Sequence, residues 1–270
     1  MNVSSTIGSH LICEPESAYA ARRKDHLTSH RLAEFRRNPL LYFRKAVGLV
    51  VDEDRPTFAV GRAIHCRVLE GIEELHHRYA IGGPINPKTG KSFGVETKAF
   101  TEWAAAMNKP VISDETATLC EQVAEAVDGH DEARALLIEG QAEGVVRTTY
   151  AGLPCQGRLD WLHPTRGIVD LKTCENLDWL ESESRSFGYI HQLAFYRALL
   201  ATVSGVAMPV HIIGVEKRQP FRVGVWRLSD QVLDAATRDN VAAIERLKWC
   251  RREERWPTGY EAIRLLDTLS

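Results

Sequence analysis

Residues 144–173 constrain the fold more than any other stretch of this 270-residue chain. GVVRTTYAG (144–152), PCQGRLDWLH (154–163) and GIVDLKT (167–173) are rich in β-branched and aromatic side chains, which suit a pleated surface. Turn signals at Gly152-Leu153-Pro154 and from His163 to Gly167 separate them. The three segments read as an antiparallel meander. Two further strand candidates, 210–217 and 221–228, flank a turn at Gln219-Pro220.

Helical spacing surrounds the strands. Residues 28–48 suggest two short helices broken at Asn38-Pro39. Helices are also expected over 58–70, 97–109, 115–138 and 186–203. A last one runs from Ser229, a good N-cap, towards Arg252. The stretch 82–97, GGPINPKTGKSFGVET, reads as a loop. The expected class is α/β (α+β), a central mixed sheet with flanking helices. Residues 1–27 are expected as an N-terminal extension and 28–270 as one domain, helical over 28–140, with sheet and helices over 141–270.

Composition excludes several classes. A hydrophobic fraction of 44% rules out wholesale disorder. No run approaches about 18 apolar residues, so no spanning helix is expected. The N-terminus lacks a basic start and a long apolar run, so a cytoplasmic location is expected. The six cysteines form no CxxC pair and read as reduced thiols. The formal net charge of −2 hides a basic stretch at 22–45 and an acidic one at 114–143. The basic surface could hold a polyanion or be a solvated helix face.

The charges inside the meander carry the chemistry. With the second turn centred near Thr165, Asp160 and Asp170 stand opposite one another on adjacent strands. Asp170 and Lys172 share a strand face. Two carboxylates close together repel, so positive charge belongs there. Lys172 supplies part, and a hard divalent cation with oxygen ligands, magnesium for preference, would supply the rest. A structural salt bridge from Lys172 to Asp170 or Asp160 is the alternative. The apolar neighbours Ile168, Val169 and Leu171 weigh against it, because charge inside a core strand is costly unless it serves a purpose.

Asp160 followed by Asp170-Leu171-Lys172 resembles the motif of the PD-(D/E)xK metal-dependent nuclease superfamily. GRAIH (61–65), with His65, resembles the upstream segment of its RecB-like branch. Gln192 and Tyr196 in QLAFY resemble that branch's downstream motif, and Glu143 matches a recurrent upstream acid more loosely. Across roughly 28–228 the chain resembles phage and prophage exonucleases of the RecE type.

The resemblance implies a restriction-endonuclease-like core. It also implies a metal-dependent exodeoxyribonuclease acting on linear duplex DNA, 5′ to 3′, in recombination or repair. Asp160, Asp170, the Leu171 carbonyl and His65, with Glu143, would hold one or two Mg²⁺ ions, for which Mn²⁺ could substitute. Lys172 would steady the scissile phosphate or the attacking water. Gln192 and Tyr196 would bind substrate or position Lys172, and Arg36, Arg37, Arg44 and Lys45 would contact phosphates. Some relatives carry a four-cysteine iron–sulfur cluster with three cysteines near the C-terminus. Only Cys250 lies there, so no cluster is expected. A homo-oligomeric ring and a single-strand annealing partner are further implications. The alternatives are a single-strand or structure-selective nuclease of the same fold, a non-catalytic DNA-binding subunit, and a structural ion cluster in an unrelated fold.

Overall fold

The computed structural model describes residues 7–51 and 56–265. In chain order come α1 (Glu16–Ala21), α2 (Ser29–Arg37), α3 (Pro39–Ala46) and α4 (Pro56–His65), which runs into a π-helical turn at Cys66–Glu70. Then follow α5 (Ile72–Arg78), β1 (Ala80–Ile81), α6 (Lys98–Met107), β2 (Val111–Ile112), α7 (Asp114–Asp128) and α8 (Asp131–Leu137). The meander is β3 (Gln141–Tyr150), β4 (Leu153–His163) and β5 (Gly167–Cys174). The chain continues through α9 (Leu180–Ser186), α10 (Tyr189–Ser204), β6 (Val210–Glu216), β7 (Val223–Arg227) and α11 (Asp230–Arg252).

Turn chemistry sets the sheet. Ala151 and Gly152, both at positive φ, make a two-residue hairpin between β3 and β4. Gly167, at φ +89, closes the next hairpin, and a Cβ there would lie 2.1 Å from the Pro209 carbonyl oxygen. Only glycine fits that corner. The five strands run in the order β3-β4-β5-β6-β7. All neighbours are antiparallel except β5 and β6, so the sheet is mixed. β1 and β2 form a separate parallel pair.

Helices cover both faces. Ile168, Ile212, Leu193, Phe195, Ile244 and Leu247 bring α10 and α11 onto one face. Val169, Leu171, Ile213, Ile64, Val123 and Leu136 bring α4, α7 and α8 onto the other. Alternating side chains of β5 thus enter different cores, as the period of a strand requires. No helix among the described residues is long and apolar enough to cross a membrane.

The structure departs from expectation in two places. The helix expected over 115–138 is two, because the chain turns at Gly129 and the His130 ring caps α8 by accepting from Ala133 N at 3.3 Å. α5, α9 and the β1–β2 pair lie where no element was expected. Within the expected N-terminal extension, of which residues 1–6 lie outside the described residues, Ile12 and Leu27 lie along the sheet. Ile12 exchanges two backbone hydrogen bonds with Val145, and Arg147 pairs with Glu14 at 2.6 Å.

Glu216 ties the far end of β6 to the next segments. Its Oε1 accepts from Leu177 N at 3.0 Å and from Arg222 Nη2 at 2.7 Å. The hydrogen bonds from Arg222 hold the Glu216 carboxyl down at about 2. A carboxylate so depressed stabilises the fold above its unfolded range, and the benefit is lost as pH falls from 4.5 towards 2. Glu216→Gln is therefore expected to lower the melting temperature at pH 7, with the deficit shrinking in acid. A deficit equal at pH 7 and pH 3 contradicts this account.

Candidate active site

The site lies where two strands part. β5 pairs with β6 from Ile168↔Val210 to Cys174↔Glu216. Its ladder with β4 ends at Trp161↔Val169. The freed edge of β4 takes Leu27 instead, with Leu27 N donating to Pro154 O and Gln156 N to Leu27 O, each at 2.9 Å. The result is a fork, and Asp160 sits at its base. Asp160 Oδ2 accepts from Leu171 N at 3.0 Å, serving an amide that the ended ladder leaves without a β4 carbonyl.

Three ligand atoms meet there, one each from His65, Glu143 and Asp160, all within 4.8 Å of one another. His65 Nδ1 is 3.4 Å from Asp160 Oδ2. Asp170 stands outside this group. Lys172 Nζ lies 2.5 Å from its Oδ2, while Oδ1 is buried without a hydrogen-bond partner. Asp160, bound to the Leu171 amide between Asp170 and Lys172, adjoins that pair, and the charges of Asp160 and Lys172 both act on Asp170. The carbonyl of Leu171 belongs to the same stretch of β5, between Asp170 and Lys172.

Electrostatics favour a cation. Burial, then the repulsion of Asp160, pushes Glu143 up to about 8. Burial raises Asp170 to about 6 despite Lys172, and raises Asp160 as well. Burial would lower Lys172, but Asp170 and Asp160 outweigh it and hold the ammonium above its ordinary value. His65 keeps 25% of its side-chain surface open, yet burial, followed by the charge of Lys172, holds it down at about 4. At neutral pH it is the neutral imidazole, the form that ligates metals. Carboxylates with one imidazole suit a hard or borderline divalent ion, and the orphaned Oδ1 of Asp170 offers a further oxygen. These residues fit such a cation.

A hydrogen-bond chain leads away from Lys172. Its Nζ lies 3.5 Å from Gln192 Oε1 and 4.7 Å from the centre of the Tyr189 ring. Gln192 Nε2 donates to the Tyr196 hydroxyl at 3.1 Å, and Ser29 Oγ donates to it at 3.3 Å. The four-residue spacing on α10 places both side chains on one side. Gly157 makes room, since a Cβ there would lie 2.6 Å from the Tyr196 ring.

A cleft of about 690 Å³ opens over this chain. Arg23, Lys24, Arg31, Lys45, Arg158 and Tyr189 are among its lining residues. Of the four expected phosphate contacts, only Lys45 lines it, ion-paired with Glu34. Arg36 instead donates to Asn240 Oδ1 at 2.7 Å and Arg37 to Ser186 O at 3.1 Å, bracing helices. Arg44 lies on α3 away from the lining. Charge density along the sequence signalled the region, and the cleft is lined by Arg23, Lys24 and Arg31 of the same run. Arg23, Lys24 and Arg31 were visible only as members of that basic run.

A family described as a PDDEXK-like domain of unknown function (DUF3799) matches residues 31–268. No curated protein matches the chain in sequence. A crystal structure of a candidate exonuclease from Eubacterium rectale superposes with a TM-score of 0.68. The match covers 96% of this chain and 97% of that one at 14% identity, a likeness of fold.

Proposed function

The chain belongs to the PDDEXK-like DUF3799 family, and from that membership we propose that it is a divalent-metal-dependent deoxyribonuclease. In this reading it degrades linear duplex DNA from its ends, 5′ to 3′, in recombination or repair. The observation that carries the reading is the buried assembly of His65, Glu143, Asp160, Asp170 and Lys172, joined through Gln192 and Arg158 to the lining of a partly basic cleft. A fold of this class points to hydrolysis of nucleic acid.

Asp160, Glu143 and His65, with Asp170 and the Leu171 carbonyl beside them, would hold the metal, Mg²⁺ or Mn²⁺. When bound, it supplies an acidified water and positive charge for the phosphoryl oxygens. Lys172, kept protonated by two carboxylates, stabilises negative charge on the scissile phosphate. Gln192 orients that ammonium, and Tyr196, anchored by Ser29, orients Gln192. Arg23, Lys24, Arg31 and Lys45 hold the backbone without reading bases. A ring of copies around the substrate would retain DNA despite a net charge of −2, and a single-strand annealing protein would take the product.

One observation favours a second reading, a single-strand-selective nuclease. Phe187, half exposed, and Tyr189 lie side by side in the cleft lining, 5.8 Å between ring centres. Exposed rings of this kind stack unpaired bases.

The test uses end-labelled linear duplex, nicked circle and single strand with Mg²⁺. Nucleotide release from linear duplex supports the first reading, and release from single strand alone supports the second. Binding without cleavage on every substrate overturns both. Under either reading Phe187→Ala is expected to weaken binding of unpaired DNA by about 1–3 kcal/mol. Unchanged affinity removes the stacking role.

A further inference from the structure

Arg158 stands on β4 two residues before Asp160 and pairs across the ladder with Val145. It is therefore the diagonal neighbour of Glu143, within reach of a long side chain. Glu143 itself has left the ladder. The register passes from Ala142↔Trp161 to Gly144↔Leu159, and between them Glu143 adopts φ +55. Left-handed backbone costs a residue with a Cβ about 1–2 kcal/mol, so local contacts must hold it. Arg158 supplies them. Its Nε lies 2.7 Å from Glu143 Oε2 and donates towards the Glu143 carbonyl oxygen at 3.4 Å.

The rest of the guanidinium turns elsewhere. Arg158 lines the cleft, and its Nη1 is 3.9 Å from Oε2 of the exposed Glu16, beyond hydrogen-bond reach. One planar group thus has an inner edge on a carboxylate of the cation group, while the residue lines the cleft.

We propose that Arg158 is a positioning residue that couples the two halves of the site. Its Nε edge fixes Glu143 as a metal ligand beside His65 and Asp160, and its Nη edge offers donors to a backbone phosphate in the cleft. This rests on the metal-dependent nuclease reading and deepens it. Lysine cannot replace it, because a single ammonium on a flexible stem cannot span both partners. Charge alone would be restored by Arg158→Lys; fork geometry would not.

The test is Mn²⁺ binding to the full chain without DNA, followed by electron paramagnetic resonance of the free ion. Wild type, Arg158→Lys, Glu143→Gln and the double variant are compared, with Glu16→Gln as control and circular dichroism to verify folding. Arg158→Lys is expected to weaken Mn²⁺ binding about 10-fold or more, the usual effect of losing a group that orients a ligand. It should add nothing once Glu143→Gln is present. Glu16→Gln should bind as wild type does. Arg158→Lys should also raise KM for DNA. Wild-type Mn²⁺ affinity in Arg158→Lys overturns the proposal, as does a weakening that persists in the double variant. Absence of Mn²⁺ binding in the wild type, unaltered by Asp160→Asn, overturns the metal reading beneath it, so the two failures are distinguishable.

Discussion

Asp170→Asn is expected to reduce DNA cleavage by about 10³-fold and, in the same protein, to raise the stability of the metal-free fold at pH 7. The two effects share one cause. Asp170 is 1% exposed, and Lys172 is the chief compensation for its charge. Burial lifts its carboxyl from 3.8 to about 6, so the folded chain holds a proton that the unfolded chain has released. Stability from this group is complete below pH 3.8 and declines as pH rises through about 6. Asparagine removes that burden at neutral pH, where Asp160 still faces Lys172, so the variant is expected to melt higher than wild type. The gain should vanish near pH 4. Lys172→Met carries the opposite sign. It leaves Asp160 and Asp170 buried together without a cation, a change expected to cost about 3–5 kcal/mol. Both variants should be inactive. Thermal melts at pH 4 and pH 7, beside a cleavage assay, decide the matter. An active Asp170→Asn protein, or one less stable than wild type at pH 7, sinks the account.

Mn²⁺ at 100 times its dissociation constant is expected to stabilise the wild-type chain by about 2.7 kcal/mol, a rise in melting temperature of roughly 5 °C or more. A chelator should abolish the rise. The shift should grow between pH 6 and pH 8, because Glu143, near 8, and Asp170, near 6, must release protons before a cation can replace them. Asp160→Asn should eliminate the shift, since Asp160 is central to the group with His65 and Glu143. Glu143→Gln should flatten its pH dependence. A melting temperature indifferent to Mn²⁺ at pH 8 would falsify the cation site.

Much of this is legible in the sequence itself. The turns at Gly152 and Gly167 mark the meander, and a period of two places Asp170 and Lys172 on one strand face. The turn arithmetic matches the register Leu162↔Ile168 and Trp161↔Val169, which stops one pair short of Asp160 and Asp170. Gln192 and Tyr196 face one way because helical spacing says so. Other features left no such mark. Nothing local to His65 indicates that Glu143 will lie beside it, because the two stand 78 positions apart in the chain. Arg36 and Arg37 look like any other cations in a basic run until Asn240 and Ser186 claim them.

The division has a physical origin. Local sequence determined the elements, their turns and the pairing of neighbouring strands, since these depend on backbone sterics and side-chain periodicity over a few residues. Tertiary packing decided where β5 parts from β4 while staying paired with β6, and hence that a fork exists with Asp160 at its base. It also drew α4 and its His65 onto the sheet through Ile64 and Leu171. Those choices depend on burying apolar surface between segments far apart in the chain, and no short-range rule encodes them.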